Sequence, residues 1–266
     1  MVAQLTTINY PESDGKPMAD NTKQFHWITV IKQNLDWLFA QDPQVFIAGD
    51  LFWYPVEGRP EIVTAPDVLV VFGRPKGDRG SYKQWEENNI APQVVFEILS
   101  PSNSKTEMEK KLIFYERYGV DEYYIYDPDR DRLEGWLRSE NGILNNIPVM
   151  QNWISPGLGI RFEQLEELKL YRPDGTPFHS FNEVNVLLME EQQRTESQRQ
   201  QAKIERQRAN SERQRANSER QRAESERQQA KIERQRAESE KDRADHLEAL
   251  LNQYRNQFGD LESPET

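Results

Sequence analysis

The sequence predicts a mixed α/β body followed by a long C-terminal helix. Three observations carry that expectation. A helical pattern, several strand-like apolar runs, a second helix and a strand pair follow one another, the order of a mixed sheet with helices on its faces. All six Trp lie between Trp27 and Trp153, which puts the aromatic core in the first two-thirds of the 266 residues. Beyond about Leu188 the chain is mostly Gln, Arg, Glu, Ala, Ser and Lys, and a seven-residue unit recurs.

The elements can be justified in chain order. Between Lys23 and Phe39, the apolar residues Phe25, Ile28, Ile31, Leu35 and Leu38 fall at helical spacing. Val45–Ile47 and Leu51–Val56 read as strands separated by Gly-Asp, and Asp67–Phe72 as a buried strand. Gln93–Leu99 is another apolar run, broken by one carboxylate, Glu97. The loop between these last two strands, rich in Gly and charge, carries Arg74, Lys76, Arg79 and Lys83 interleaved with Tyr82 and Trp85. Ser104 and Glu107 fit an S-x-x-E capping box at the start of a second helix, with Met108, Leu112 and Tyr115 as its apolar stripe and Gly119 as its stop. Glu122–Asp127 and Leu133–Arg138 form a strand pair around Asp-Pro-Asp-Arg-Asp, and short β segments are expected at Ile147–Met150 and Ile160–Phe162.

From about Glu190 to Gln257 there is neither Pro nor Gly, and Ala209, Ala216, Ala223, Ala230 and Ala237 mark a seven-residue beat. A strict heptad returns these alanines to one face, the seam of a left-handed coiled coil. The seam is thin, with only Ile204 and Ile232 interrupting the polar sequence before Leu247, Leu250, Leu251 and Tyr254. The copies suit an oligomerisation device, a homodimer above all; they also suit a repeat expansion without a specific role.

Composition narrows the chemistry. With no Cys, disulfides and thiolate metal sites are excluded, and 3 His argue against an all-imidazole zinc cage, so a metal is expected on carboxylates. The net charge of −11 argues against a protein that coats nucleic acid through a broad basic surface, yet a local metal site can still receive a polyanion. No signal-like or membrane-spanning stretch is evident, and the expectation is a cytoplasmic protein with no membrane partner.

Asp67 stands at the entrance to one apolar strand and Glu97 inside another. A carboxylate in so apolar a run is costly unless something compensates it. Two carboxylates from adjacent strands, with a backbone carbonyl and water, suit Mg²⁺ or Mn²⁺. The bland alternative pairs Glu97 with Arg or Lys and uses Asp67 as a turn cap. Lys111, on the helix after the Glu97 strand, can point back toward both carboxylates or pair with Glu107 on a solvated face.

Four motifs in order carry a family resemblance: Pro66-Asp67-Val-Leu-Val-Val, Val-Val-Phe-Glu97-Ile-Leu-Ser-Pro-Ser, Lys111-Leu-Ile-Phe-Tyr115 and Gly119-Val-Asp-Glu-Tyr-Tyr-Ile-Tyr-Asp127-Pro. They resemble the Uma-two family of restriction-endonuclease-like proteins in the PD-(D/E)xK nuclease superfamily. The resemblance implies an αβββαβ core and a metal-dependent endonuclease acting on DNA, with RNA left open as substrate. It implies Asp67 and Glu97 as ligands of Mg²⁺ or Mn²⁺ and Lys111 as catalytic lysine. The superfamily lysine two residues after the glutamate is Leu99 here, so the role moves to Lys111. Glu107 stands where the family usually has Asp, as a support to the site or only as the capping residue. His26 matches a frequent histidine at the start of the first helix, and a packed or capping role fits it equally well. The loop cations Arg74, Lys76, Arg79 and Lys83 can contact a nucleic-acid backbone or belong to a solvated lid. The expected organisation is a flexible segment over 1–22, the nuclease-like domain over 23–181, the heptad helix over 182–257 and a disordered tail over 258–266. A second reading keeps the fold but assigns the work to the helical tail, as a scaffold or regulator.

Overall fold

The computed structural model describes residues 8–13, 15, 17–164 and 167–259. Parts of the segments expected to lack regular structure, residues 1–7, 14 and 16 at one end and 260–266 at the other, lie outside the described residues. The chain divides into two units, Met1–Leu188 and Met189–Thr266.

In the first unit, helix α1 (Thr22–Leu38) begins where Asn21 accepts a hydrogen bond from the Gln24 amide at 2.9 Å, an N-cap that satisfies one orphan donor. Strands β1 (Val45–Gly49), β2 (Trp53–Tyr54), β3 (Val68–Phe72), β4 (Tyr82–Lys83) and β5 (Val94–Ile98) follow. Helix α2 (Lys105–Tyr118) is capped by Ser104, which accepts from the Glu107 amide, and closed by Gly119 at φ +95°, a left-handed position that glycine takes without strain. Then come β6 (Glu122–Asp127), β7 (Arg132–Arg138), β8 (Leu144–Asn146), β9 (Arg161–Gln164) and β10 (Leu168–Tyr171).

Six strands form one mixed sheet in the order β1-β3-β5-β6-β7-β8. Within this sheet β5 and β6 are the parallel pair, and α2 is the crossover between them. Because side chains alternate, each strand feeds both faces. Val68, Val70, Val94, Phe96 and Ile98 meet α1 through Trp27, Ile28, Ile31 and Leu35 on one face. Leu69, Val71, Val95, Tyr123 and Ile125 meet Met108 and Tyr115 of α2 on the other. Each fully buried side chain of this size contributes about 1.5–3 kcal/mol, so both faces are needed to offset chain entropy.

Several expectations are corrected. Phe25 is exposed, and polar Gln24 and Asn34 are buried in its place. Both make specific bonds: Gln24 donates to the Ile98 carbonyl, and Asn34 donates to the carbonyls of Val30 and His179. The run Leu51–Val56 shrinks to the two residues of β2, pairing in parallel with β4, since Pro55 cannot donate to a ladder. Ile147–Met150 is not a strand; Leu144–Asn146 is, while Ile147 and Met150 serve the core over Gly135.

The second unit, with the turns before it, is helical: α3 runs Phe181–Phe258, its described side chains almost all exposed. Among the described residues no helix is long and apolar enough to cross a membrane.

Candidate active site

The antiparallel pairing of β3 with β5 sets Val68 opposite Phe96, which brings Asp67 and Glu97 to the same end of the sheet. Asp67 Oδ2 accepts the Ile98 amide at 2.6 Å, satisfying a buried donor at the end of β5, beside the start of β3. Glu97 lies on the α2 face and is 2% exposed. There one turn of α2 supplies both of its partners. Lys111 Nζ stands 2.7 Å from Oε2, and the Tyr115 hydroxyl donates to Oε1. The structure therefore brings Asp67, Glu97 and Lys111 together at one end of the sheet.

The electrostatics follow from burial and charge count. Burial first, and then the Glu97 charge, push the Asp67 carboxyl up from 3.8 to about 8 against the opposing pull of Lys111. Burial works to lower the Lys111 ammonium, but Glu97 and Asp67 outweigh it and hold it above its ordinary value. Burial and the Glu97 charge push the Tyr115 hydroxyl well above the usual range, which keeps it a donor. One lysine thus faces more carboxylate than it neutralises.

That excess is the test of whether a divalent cation fits. Oxygen donors from two carboxylates in a buried, acidic setting suit a hard cation, whose charge would favour loss of the Asp67 proton. Among the described residues no group of three or more His, Asp or Glu closes around one point. Mg²⁺ is commonly held by one or two carboxylates and otherwise by water and substrate oxygens, so two ligands suffice. A cavity of about 570 Å³ opens beside Lys111, lined also by Asp50, Thr64, Phe52 and Tyr54.

Two participants escaped the sequence reading. Tyr115 looked like one more residue of an apolar stripe, yet it anchors Glu97 and is itself hydrogen-bonded by the Thr64 side chain. Asp50 read only as half of a Gly-Asp break between strands. It sits at φ +49° just past β1, donates its amide to the Asp67 carbonyl and adds negative charge near Asp67. An aspartate directly after a strand-ending glycine was the available signal.

The other singled-out residues lie elsewhere. Glu107, in the first turn of α2, accepts from Asn103 at 3.4 Å and adds to the field on Lys111 without touching it. His26 is exposed on α1, the helix of the opposite sheet face, with its ring against Trp27. The loop cations are engaged within the fold. Arg74 and Arg79 both grip Glu87, at 2.6 and 2.7 Å, and Arg79 also stacks over Phe46. Lys76 donates to the Phe39 and Ala40 carbonyls beyond α1, and Lys83 pairs with Glu86 at 3.5 Å. These contacts make the loop a folded flap, with its most buried cations already paired.

A mixed sheet with helices on both faces and this core order is a restriction-endonuclease-like α/β domain. The family model described as "Uma2: Putative restriction endonuclease" matches residues 13–174, more than half of the chain, and the protein belongs to that family. Among solved structures, one titled as a putative nuclease belonging to DUF820 from Anabaena variabilis ATCC 29413 is 17% identical, with a TM-score of 0.39 over 55% of this chain and 79% of that one. No curated protein matches.

Proposed function

We propose that the body, over 23–181, is a metal-dependent endonuclease that hydrolyses DNA phosphodiester bonds, and that the heptad segment over 182–257 associates copies of it. The observation that carries this reading is the convergence of Lys111 on Glu97 beside a buried Asp67, whose carboxyl is pushed up to about 8 by burial and the Glu97 charge. Family membership supports the same class of chemistry.

In this reading Asp67 and Glu97 hold Mg²⁺ or Mn²⁺, which when bound polarises a phosphoryl oxygen and eases deprotonation of an attacking water. The chain's own residues do the rest. Tyr115 fixes one Glu97 oxygen, and Lys111 stands against the other. The Ile98 amide orients Asp67 in the same way. Lys111, charged and partly screened from solvent, lies against the carboxylates where charge builds on the phosphoryl group, and a cation in so dry a place counts for more than in water. Water adds to phosphorus, one P–O bond to sugar breaks, and the sugar oxygen takes up a proton as the water loses one.

The test is cleavage of supercoiled and linear duplex DNA, single-stranded DNA and RNA by the full chain with Mg²⁺ or Mn²⁺. DNA is expected to be cut by wild type and not by folded Asp67→Ala, Glu97→Ala or Lys111→Ala. A protein that cuts nothing, or variants that cut as well as wild type, would overturn the reading. The scaffold reading is favoured by the exposure of α3; wild type that binds no divalent ion in calorimetry would select it.

A further inference from the structure

The heptads of α3 hold more than an alanine beat. From Ala202 to Ala244 alanine keeps one heptad position, a glutamate stands three residues after each from Glu205 to Glu240, and an arginine or lysine four residues after each from Arg206 to Lys241. On a helix, offsets of three and four fall on opposite flanks of the alanine line. The exposed face therefore reads, across its width, as a row of negative charge, a row of methyl groups and a row of positive charge. At both ends leucine replaces alanine at the same position, Leu188 and Leu251. Their neighbours repeat too: Val184 and Leu187 recur nine heptads later as Leu247 and Leu250. These side chains are exposed in the single chain. Among the described residues the ion pairs along α3 are Arg194 with Glu191 and Arg220 with Glu224, and neither takes up a glutamate of the row that follows the alanines by three residues.

We propose that α3 pairs with α3 of a second copy of this chain, parallel and in register. The alanine line alone selects no partner; the charge rows and the leucine ends do. When two parallel helices meet across a twofold axis along their length, opposite flanks come together, as g meets e in a parallel coiled coil. The glutamate row of each copy then faces the arginine and lysine row of the other: Glu212, for example, faces Arg213 of its mate. Antiparallel pairing brings like flanks together and sets glutamate against glutamate and arginine against arginine, which is destabilising along the whole row. Register follows from the ends. A slip by one heptad keeps the charges matched but uncouples Leu188 from Leu188 and Leu251 from Leu251, leaving apolar surface exposed. Alanine in the seam lets the backbones approach closely enough for the flanking charges to meet. This pairing is independent of whether the body cuts nucleic acid.

The absence of cysteine makes the test clean, since one introduced thiol can only meet its own copy. In the parallel arrangement Ala216→Cys and Ala209→Cys, each alone in the full chain, face themselves at a distance a disulfide can span. Mild oxidation is expected to convert most of each variant to a covalent dimer, and the wild type to show the mass of two chains by light scattering at micromolar concentration. Ser211→Cys, on the outer side of the helix, is expected to crosslink at least ten-fold more slowly. Antiparallel pairing with matched leucine ends would set Ala216 against Ala223. Crosslinking only in a mixture of Ala216→Cys with Ala223→Cys would therefore overturn the proposal. So would a one-chain or three-chain mass, or equal crosslinking of Ser211→Cys.

Discussion

Glu97 and Glu122 are both 2% exposed, both sit on the central pair β5 and β6, and both accept a hydrogen bond from a tyrosine hydroxyl. Their surroundings separate them. Glu122, on the α1 face, is enclosed by neutral donors: the hydroxyls of Tyr124 and Ser155 and the Gly157 amide. It pins the loop before β9 onto the sheet, and Gly157 is there because a Cβ would come within 2.8 Å of its carboxylate. Glu97, on the α2 face, has a charged partner in Lys111, a second carboxylate in Asp67 and a cavity lined by Lys111 close by. A buried carboxylate is thus no sign of chemistry in itself. What distinguishes a site is charge left uncompensated beside space that a ligand can enter.

The contrast can be broken by substitution. Glu97→Gln keeps the shape and a hydrogen-bond acceptor but removes the charge, and nuclease activity is expected to fall by about 10³-fold or more while the protein stays folded. A smaller free-energy change, in a different quantity, is expected on the other face. Glu122→Ala strands three buried donors at roughly 1–3 kcal/mol each, so urea unfolding should show a loss of about 3 kcal/mol or more, with metal binding by the folded fraction unchanged. If Glu122→Ala abolished ion binding in protein still folded, the distinction between the two glutamates would collapse.

Tyr115→Phe sharpens the comparison further. It removes the donor to Glu97 Oε1 without opening the core, and Mn²⁺ affinity is expected to drop about 10–100-fold, as for other groups that orient a metal ligand. An unchanged affinity would make Tyr115 a packing residue only.

A further effect is in pH. A carboxyl raised in the folded state binds its proton more tightly there than in the unfolded chain. Asp67 therefore contributes stability that is fully present below pH 4 and is lost as pH rises through about 8. Across that window the slope approaches about 1.4 kcal/mol per pH unit. Asp67→Asn, measured by urea unfolding at pH 5 to 9, should flatten this part of the profile; an unaltered slope would place the buried proton elsewhere.

Much of this was readable in the residues, for definite reasons. β3, β5 and β6 were legible because strands buried on two faces must be apolar throughout, and Glu97 stood out against that background. Tyr115 did not, since an aromatic at core spacing looks the same whether or not its hydroxyl is used. Glu122 reads as an ordinary first residue of a strand; its donors at Ser155 and Gly157 come from 33 and 35 residues along the chain, a distance no local pattern spans. The short β2 and the misplaced Ile147–Met150 strand show the same limit from the other side. Apolar content there was needed for the core, whereas ladder pairing was decided by which neighbours remained available.

Direct titration of Mn²⁺ into the full chain and its Glu97→Gln and Glu122→Gln variants at pH 7 tests the central claim most directly. One site is expected in wild type, lost in Glu97→Gln and retained in Glu122→Gln, with a proton released from Asp67 on binding. A wild type that takes up no ion, or binding that survives in Glu97→Gln, would contradict the account.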